Sequence, residues 1–126
     1  MSHRQPSLAI DVILRAEQVA IFLAGVVLWL ANGGAPLLLV PALLAPDLSM
    51  IGYLRGPRIG SITYNAVHNL VLALALLGLG WWLAIGWLVV AGAAVLAHVG
   101  MDRALGYGLK LPTDFRDTHL GRIGRG

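Results

Sequence analysis

Four long apolar stretches separated by short polar turns constrain the fold of this chain more strongly than any other feature. Each stretch is close to the length of about 20 residues that an α-helix needs to cross a bilayer. With 58% hydrophobic residues, 12% charged residues and a mean hydropathy of +0.79, a chain of 126 residues carries more apolar surface than its own core can bury. The sequence therefore predicts a single all-α domain over residues 1–126, a polytopic membrane protein built as a four-transmembrane-helix bundle.

The predicted spans cover about residues 9–31, 36–54, 59–79 and 82–104, and residues 105–126 are predicted to be a polar tail. Glycine, proline and tryptophan mark the turns between the spans. These marker segments are 31–36, 55–58 and 80–82.

Two details refine the first two spans. Asp11 and Glu17 do not suit the positively charged start of a signal peptide, so the first span is expected to be retained. Pro41 lies inside the second span, where a proline removes one backbone hydrogen bond, and it predicts a kink there.

All nine basic residues fall on one side of the predicted bundle: Arg4, Arg15, Arg55, Arg58, Arg103, Lys110, Arg116, Arg122 and Arg125. The loops at the opposite side, 32–35 and 79–82, contain none. The positive-inside rule then predicts that both termini and the tail 105–126 are cytoplasmic. Because the basic residues are scattered singly through short loops and a tail, without stacked aromatic residues among them, nucleic acid is not an expected partner.

Ionisable residues interrupt the apolar spans at a common depth. Counting about 1.5 Å per residue from the basic ends of the helices, four of them lie roughly 9–13 Å deep: Glu17, Asp47, His68 and His98. Such groups are costly in lipid, about 2.5–3.5 kcal/mol each at mid-bilayer, and usually face a protein interior. We therefore expect a polar layer to which each helix contributes one side chain.

Two pairs spaced i,i+4 extend this layer. Asp102 lies one helical turn from His98, and Tyr64 lies one turn from His68, so each pair shares a helix face. The chain has no cysteine, which excludes thiolate ligands. Two imidazoles with carboxylates suit a divalent ion such as zinc, manganese or iron, and the predicted ligands are Asp47, His68 and His98.

The remaining polar residues of the layer can support this chemistry. Glu17 or Asp102 is predicted to act as the catalytic base, and Tyr64 and Asn65 are predicted to hold the orientation of the imidazole rings.

A purely structural interpretation stands beside the metal site. His98 and Asp102 can hydrogen-bond each other and close the end of the bundle. Glu17 can pair with one of three arginines, Arg15, Arg58 or Arg103.

The basic rim and the tail have their own predicted roles. Arg55, Arg58 and Arg103 are expected to receive a phosphate headgroup. Residues 106–110 are expected to stop the last helix, with Lys110 snorkelling toward water.

Residues 114–121 of the tail leave two interpretations open: a lid that folds back carrying His119, or a solvated tail.

The motifs PDLSMIGYLRGPRIGSITYNAVH, AHVGMDRALGYGLK and FRDTHLG, together with Arg15 and Glu17, resemble a domain-of-unknown-function family of small bacterial integral membrane proteins over nearly the whole chain. That resemblance implies a polytopic protein of a bacterial inner (cytoplasmic) membrane and no known activity. Pro46-Asp47-Leu48 followed by His68 is also similar to a class of small membrane proteins described as metal-dependent hydrolases, with Ser49 where that class carries a second Asp.

Three functions fit these features. The first is a metal-dependent hydrolase that acts on a lipid-like substrate at the cytoplasmic leaflet. The second is a non-enzymatic accessory subunit, as a homo-oligomer or in a larger membrane complex, that can bind haem or pigment through His68 and His98. The third is a proton or ion pathway, since linked His and carboxylate groups form relays.

Overall fold

Four apolar helical segments long enough to cross a membrane make up most of the computed structural model, which describes residues 7–124. They are Leu8–Ala31, Pro36–Arg55, Pro57–Trp82 and Gly86–Leu105. The prediction of an all-α, polytopic four-helix membrane protein is confirmed. Arg4 and Arg125, which contributed to the charge count, lie outside the described residues.

Two of the four segments are discontinuous. The helices are α1 (Leu8–Ala31), α2 (Pro36–Leu44), a 3₁₀ helix (Ala45–Arg55), α3 (Pro57–Val67), α4 (Leu70–Trp82) and α5 (Gly86–Leu105). The second span is therefore α2 followed by the 3₁₀ helix, and the third is α3 followed by α4. Long 3₁₀ runs are uncommon, and inside a spanning segment they often mark a functional position.

The second span changes geometry at Ala45, whereas α2 continues through Pro41, where the sequence had predicted a kink. The Ala45 N–H bonds the Ala42 carbonyl, three residues back, which begins the tighter winding. Pro46 has no N–H, so it cannot donate the α-type hydrogen bond to the Ala42 carbonyl, which Ala45 uses instead. Pro46, rather than Pro41, therefore marks the end of the α-helical part.

Helix α5 is the centre of the bundle, because it packs against both α1 and α4. Glycine allows the backbones to approach closely. A Cβ on Gly25 of α1 would lie 2.5 Å from the Ala97 backbone nitrogen, and one on Gly100 of α5 would lie 2.5 Å from the Phe22 nitrogen. In lipid, where burial of apolar surface between helices gains little, such close packing is a main source of helix association.

The end of the bundle opposite the basic residues carries a tryptophan-rich turn. Helix α4 extends to Trp82, so the turn lies at residues 83–85 and not at the predicted 80–82. Trp81, Trp82 and Trp87 are all largely exposed around it, as expected of amphipathic rings at a membrane interface.

The tail folds back over the basic end of the bundle. Two short antiparallel strands, Asp117–Thr118 and Gly121–Arg122, form a hairpin, and Lys110 makes an isolated bridge to Thr118. The prediction that Lys110 snorkels into water is wrong, since its side chain is only 4% exposed. The predicted helix stop is confirmed, because α5 ends at Leu105 and Gly106 has the left-handed conformation of a helix C-cap. Long-range hydrogen bonds to Asn65 then hold the Lys110 backbone against the bundle.

Replacement of Gly25 by Ala is expected to destabilise the bundle by about 1–3 kcal/mol, because the added methyl group meets the α5 backbone and neither helix can yield without separating. Gly78→Ala in α4 is the matched control, since nothing lies within 4 Å of its added Cβ. Thermal unfolding in detergent should show a lower midpoint for Gly25→Ala alone. Equal midpoints for the two variants would contradict the close α1–α5 contact.

Candidate metal centre

Two histidines and two aspartates from three spanning segments converge on one point inside the bundle. Asp47, His68, His98 and Asp102 each present one atom to the group, and these atoms all lie within 4.8 Å of one another. The two His Nε2 atoms are 2.9 Å apart, and Asp47 Oδ1 lies 3.1 Å from each of them. Asp102 Oδ2 lies 3.2 Å from His98 Nε2 and 3.9 Å from His68 Nε2. Both imidazoles are buried, at 0% and 3% exposure.

Each imidazole is oriented by a backbone carbonyl. His68 Nδ1 lies 2.7 Å from the Tyr64 carbonyl oxygen, and His98 Nδ1 lies 2.5 Å from the Leu43 carbonyl oxygen. A carbonyl can only accept, so both Nδ1 atoms must carry the proton and donate. In a neutral imidazole this leaves Nε2 as a bare lone pair, and on both rings that lone pair faces the cluster.

The helix breaks make these two carbonyls available. In 3₁₀ geometry the carbonyl of Leu43 would accept from residue 46, but Pro46 has no N–H to donate. The carbonyl of Tyr64 would accept from the N–H of His68, which bonds the Asn65 carbonyl instead as α3 ends. Each freed carbonyl thus binds a ring nitrogen, as buried backbone in a membrane requires.

Four acceptor atoms this close together must share protons or a cation. For a tetrahedral site with ligands about 2.0–2.2 Å from the ion, neighbouring ligand atoms lie roughly 3.4 Å apart. The five separations that involve a histidine nitrogen run from 2.9 to 3.9 Å and scatter around that value, and the two carboxylate oxygen atoms lie within 4.8 Å of each other. A second ring nitrogen that donates to a backbone carbonyl is also the usual arrangement of a metal-bound histidine. The group can therefore hold a divalent ion through two nitrogen and two oxygen atoms.

The break between α3 and α4 places His68. Asn69 caps α4 by accepting from the Leu72 N–H (2.9 Å), and its amide donates to the Asn65 carbonyl (2.8 Å) at the end of α3. Arg103 of α5 donates to the His68 carbonyl (3.1 Å). These bonds satisfy backbone groups that the break leaves open.

The 3₁₀ helix places Asp47 by packing tightly on α3. Thr63 donates to the Ser49 carbonyl (2.8 Å), and Ser49 donates to the Pro46 carbonyl (2.7 Å). A side chain on Gly52 would overlap Thr63, so glycine is needed where the two helices meet. Asp47 is held at the turn that these contacts fix.

Tyr64 supports both members of the cluster near it. Its ring stacks on the His68 imidazole, with centroids 3.6 Å apart and an angle of 8°, and its hydroxyl donates to Asp102 Oδ2 (3.2 Å). This placement beside the ring is the one predicted for Tyr64.

Asn65 contacts the tail instead of a ring. Its amide donates to the Lys110 carbonyl (2.8 Å) and its oxygen accepts from the Lys110 N–H (2.7 Å).

The structure does not bring Glu17 into the cluster. Glu17 is on the exposed surface of α1, because a common depth along a helix does not determine which face a residue occupies. Of the predicted headgroup residues, Arg55 and Arg58 are exposed near the basic end, whereas Arg103 is half-buried and hydrogen-bonded to His68.

His119, predicted as part of a possible lid, stays at the surface of the tail. Its Nδ1 accepts from the Leu109 N–H (2.7 Å), and burial against the tail lowers its pKa, with Arg103 adding to the effect.

Two cavities lie near the cluster. A polar pocket of about 300 Å³ under the tail is lined by Asp47, Met50, Tyr64, Asp102, Tyr107, Lys110, Phe115 and Ile123. An apolar cavity of about 470 Å³ lies among α2, α4 and α5 and is lined partly by Pro46 and Val67, which directly precede Asp47 and His68. The cluster therefore contributes two residues to the wall of the polar pocket and is next in sequence to two residues of the apolar cavity.

Lys110 lines the polar pocket, a placement that the sequence did not predict. Its ammonium group lies over the Phe115 ring, 3.9 Å from the centroid, and 4.9 Å from that of Tyr64. Burial lowers its pKa, and the carboxylates of Asp102 and Asp47 oppose that shift. Its pairing with Asn65 joins residues 45 positions apart, for which the local sequence holds no signal.

Comparison with known proteins identifies the family of the chain. A family model described as a domain of unknown function (DUF4260) matches residues 11–123, which confirms the resemblance indicated by the motifs. No curated protein and no solved structure matches the chain.

Asn65→Ala is expected to release the tail, because it removes both hydrogen bonds that hold Lys110, each worth about 0.5–1.5 kcal/mol. Trypsin should then cleave after Lys110 and Arg116 about tenfold faster, as measured by mass spectrometry. Asn32→Ala is the control, since Asn32 bonds only within its own helix end at the opposite side of the bundle. Unchanged cleavage in Asn65→Ala would contradict this account of the tail.

Proposed function

The chain belongs to a family described as a domain of unknown function (DUF4260), a description that assigns no activity, so we propose its function from the site. The proposed function is that of a membrane-embedded, metal-dependent hydrolase that acts on an amphiphilic ester. The observation that carries the proposal is the pair of imidazoles whose Nδ1 protons are committed to backbone carbonyls, so that both Nε2 lone pairs face two carboxylates.

The four cluster residues divide naturally into ligands and base. Catalytic metal sites commonly use three protein ligands and keep a further position open. His68, His98 and Asp47 would be the ligands, and a divalent ion held by them would activate water and polarise the scissile bond. Asp102, whose Oδ2 accepts from the Tyr64 hydroxyl, would be the general base.

Hydrolysis then needs no group beyond the three ligands, the ion that they would hold, water and Asp102. Asp102 takes a proton from the attacking water as the water oxygen bonds to the ester's electrophilic atom. The bond from that atom to the ester oxygen breaks, and the departing oxygen receives the proton from Asp102. The products are an alcohol and an acid, with no other co-reactant.

The two cavities support an amphiphilic substrate. The polar pocket can take the headgroup, and the 470 Å³ cavity can take an apolar chain, since it lies within the spanning segments and ends beside the cluster. The cluster, with Asp47 and Asp102 in the wall of the polar pocket and with Pro46 and Val67 of the apolar cavity next to it in sequence, suits an ester bond at the junction of headgroup and chain.

The side of the membrane follows from charge. The described basic residues gather at the end of the bundle that carries the polar pocket, and residues 32–35 and 83–85 at the other end have none. Arg15 of α1 donates to the Ala104 carbonyl of α5, which places the start of α1 and the end of α5 together. By the positive-inside rule this end is cytoplasmic, and in a bacterial cell the membrane would be the inner one.

A haem group is less well supported. Nε2 atoms only 2.9 Å apart leave no room for an iron and its planar macrocycle between them. An accessory subunit or a proton pathway would be favoured over an enzyme if the cluster bound no metal.

Protein purified in detergent, incubated with zinc and dialysed, is expected to retain one ion per chain by elemental analysis. His68→Ala and His98→Ala should each weaken zinc binding by more than about 100-fold. A loss of that size exceeds the effect of replacing a residue that only contacts a metal ligand. Asp102→Asn should keep zinc and lose ester hydrolysis. His119→Ala is the matched control, because this histidine lies outside the cluster. A metal-free wild type would contradict the proposal.

Reporter fusions test the orientation. Fusions at Gly34 and Ala84 should report the non-cytoplasmic side, and a fusion at Gly56 the cytoplasmic side, because the basic residues lie near Gly56. The reverse pattern would move the proposed active site to the other face of the membrane.

A further inference from the structure

Lys110 presents a buried positive charge to the polar pocket beside the cluster. Its side chain is 4% exposed, and it lines the same pocket as Asp47 and Asp102. None of the ion pairs among residues 7–124 includes it. Two aromatic rings contact the ammonium group, which lowers the cost of burial but supplies no negative charge. A buried charge usually has a charged partner.

The charge of the loaded site calls for an anion. Two carboxylates with two neutral imidazoles carry a charge of −2, which one divalent ion cancels. Lys110 then leaves the pocket with a net positive charge. Arg103 does not compete for this role, because its guanidinium is bonded to the His68 carbonyl.

Lys110 is also held at a fixed place relative to the cluster. Its backbone N–H and carbonyl both bond the side chain of Asn65, which lies on the last turn of α3. His68 directly follows that helix. The ammonium and the imidazole are therefore positioned by the same short segment, as a binding site requires.

We propose that Lys110 binds a phosphoryl group of the substrate in the polar pocket, so that the substrate class is a phosphoester amphiphile. A phosphoryl group offers several oxygen atoms, so it can contact the ammonium group and the metal together, which a single neutral carbonyl oxygen cannot do. This inference rests on the proposed function, because it requires a metal in the cluster. It assigns the anion to Lys110 instead of the exposed Arg55 and Arg58.

The test is calorimetric binding of inorganic phosphate to the zinc-loaded protein. Lys110→Met keeps the aliphatic length and removes the charge, and it leaves the backbone bonds to Asn65 in place. Phosphate affinity should fall at least about tenfold while zinc content stays at the wild-type value. Arg58→Met is the matched control, because it removes an exposed cation at the same end of the bundle and should leave phosphate affinity unchanged.

The outcomes separate the two proposals. If Lys110→Met retains both zinc and full phosphate affinity, the phosphoryl site is overturned and the metal site stands. If the wild type binds no zinc, the proposed function fails first. Repeating the titration with dihexanoyl phosphatidic acid distinguishes the sources: Lys110-dependent binding of the lipid identifies a headgroup, and Lys110-dependent binding of inorganic phosphate alone identifies free phosphate.

A second measurement covers the case in which Lys110→Met does not fold. Lys110 is the only lysine in the chain, so reductive methylation followed by mass spectrometry reports on it directly, with the N-terminal amine as internal reference. Phosphate should slow methylation of Lys110 several-fold in the zinc-loaded wild type and leave the reference unchanged. Equal rates with and without phosphate would overturn the inference.

Discussion

The hydrogen bonds from two ring nitrogens to two helix-terminal carbonyls connect the fold of this protein to its chemistry. A spanning helix that breaks inside a membrane must find partners for the backbone groups it releases. Here the carbonyls of Leu43 and Tyr64 find imidazole N–H groups. Those bonds in turn fix the tautomer of each ring and aim both Nε2 atoms at Asp47. The helix breaks thus free the two carbonyls that orient the rings, and the rings satisfy the carbonyls that the breaks free. An uninterrupted pair of helices could not orient the rings in this way.

The remaining packing makes that arrangement rigid. Helix α5 carries His98 and Asp102 and is pressed against α1 through the Gly25 and Gly100 contacts, so it cannot rotate without separating from α1. Arg103, one residue further, reaches back to the break at His68. A polar site in a bundle of only four spans is therefore supported by close backbone contacts on its apolar side and by hydrogen bonds on its polar side.

The sequence predicts the parts of this structure that depend on length, charge and helical spacing. Apolar length predicts the spans, and the depth of Asp47, His68 and His98 predicts that they share a layer. Depth alone does not choose a helix face, which explains why Glu17 is exposed on α1.

The breaks were harder to predict. The apolar run from Pro36 and the run across His68 each have the pattern of a single helix. Pro46 divides the first run, and the Asn69 cap divides the second. The placement of Lys110 depends on a contact with Asn65 far away in the sequence, which no local pattern encodes.

The order in which the cluster residues leave the ribosome matters for their insertion into the membrane. Asp47 and His68 belong to one hairpin and can share a proton during translation, before α5 is synthesised. His98 and Asp102 enter the bilayer later on one helix face, close enough to share a proton, so no insertion step leaves an ionisable group of the cluster alone in lipid.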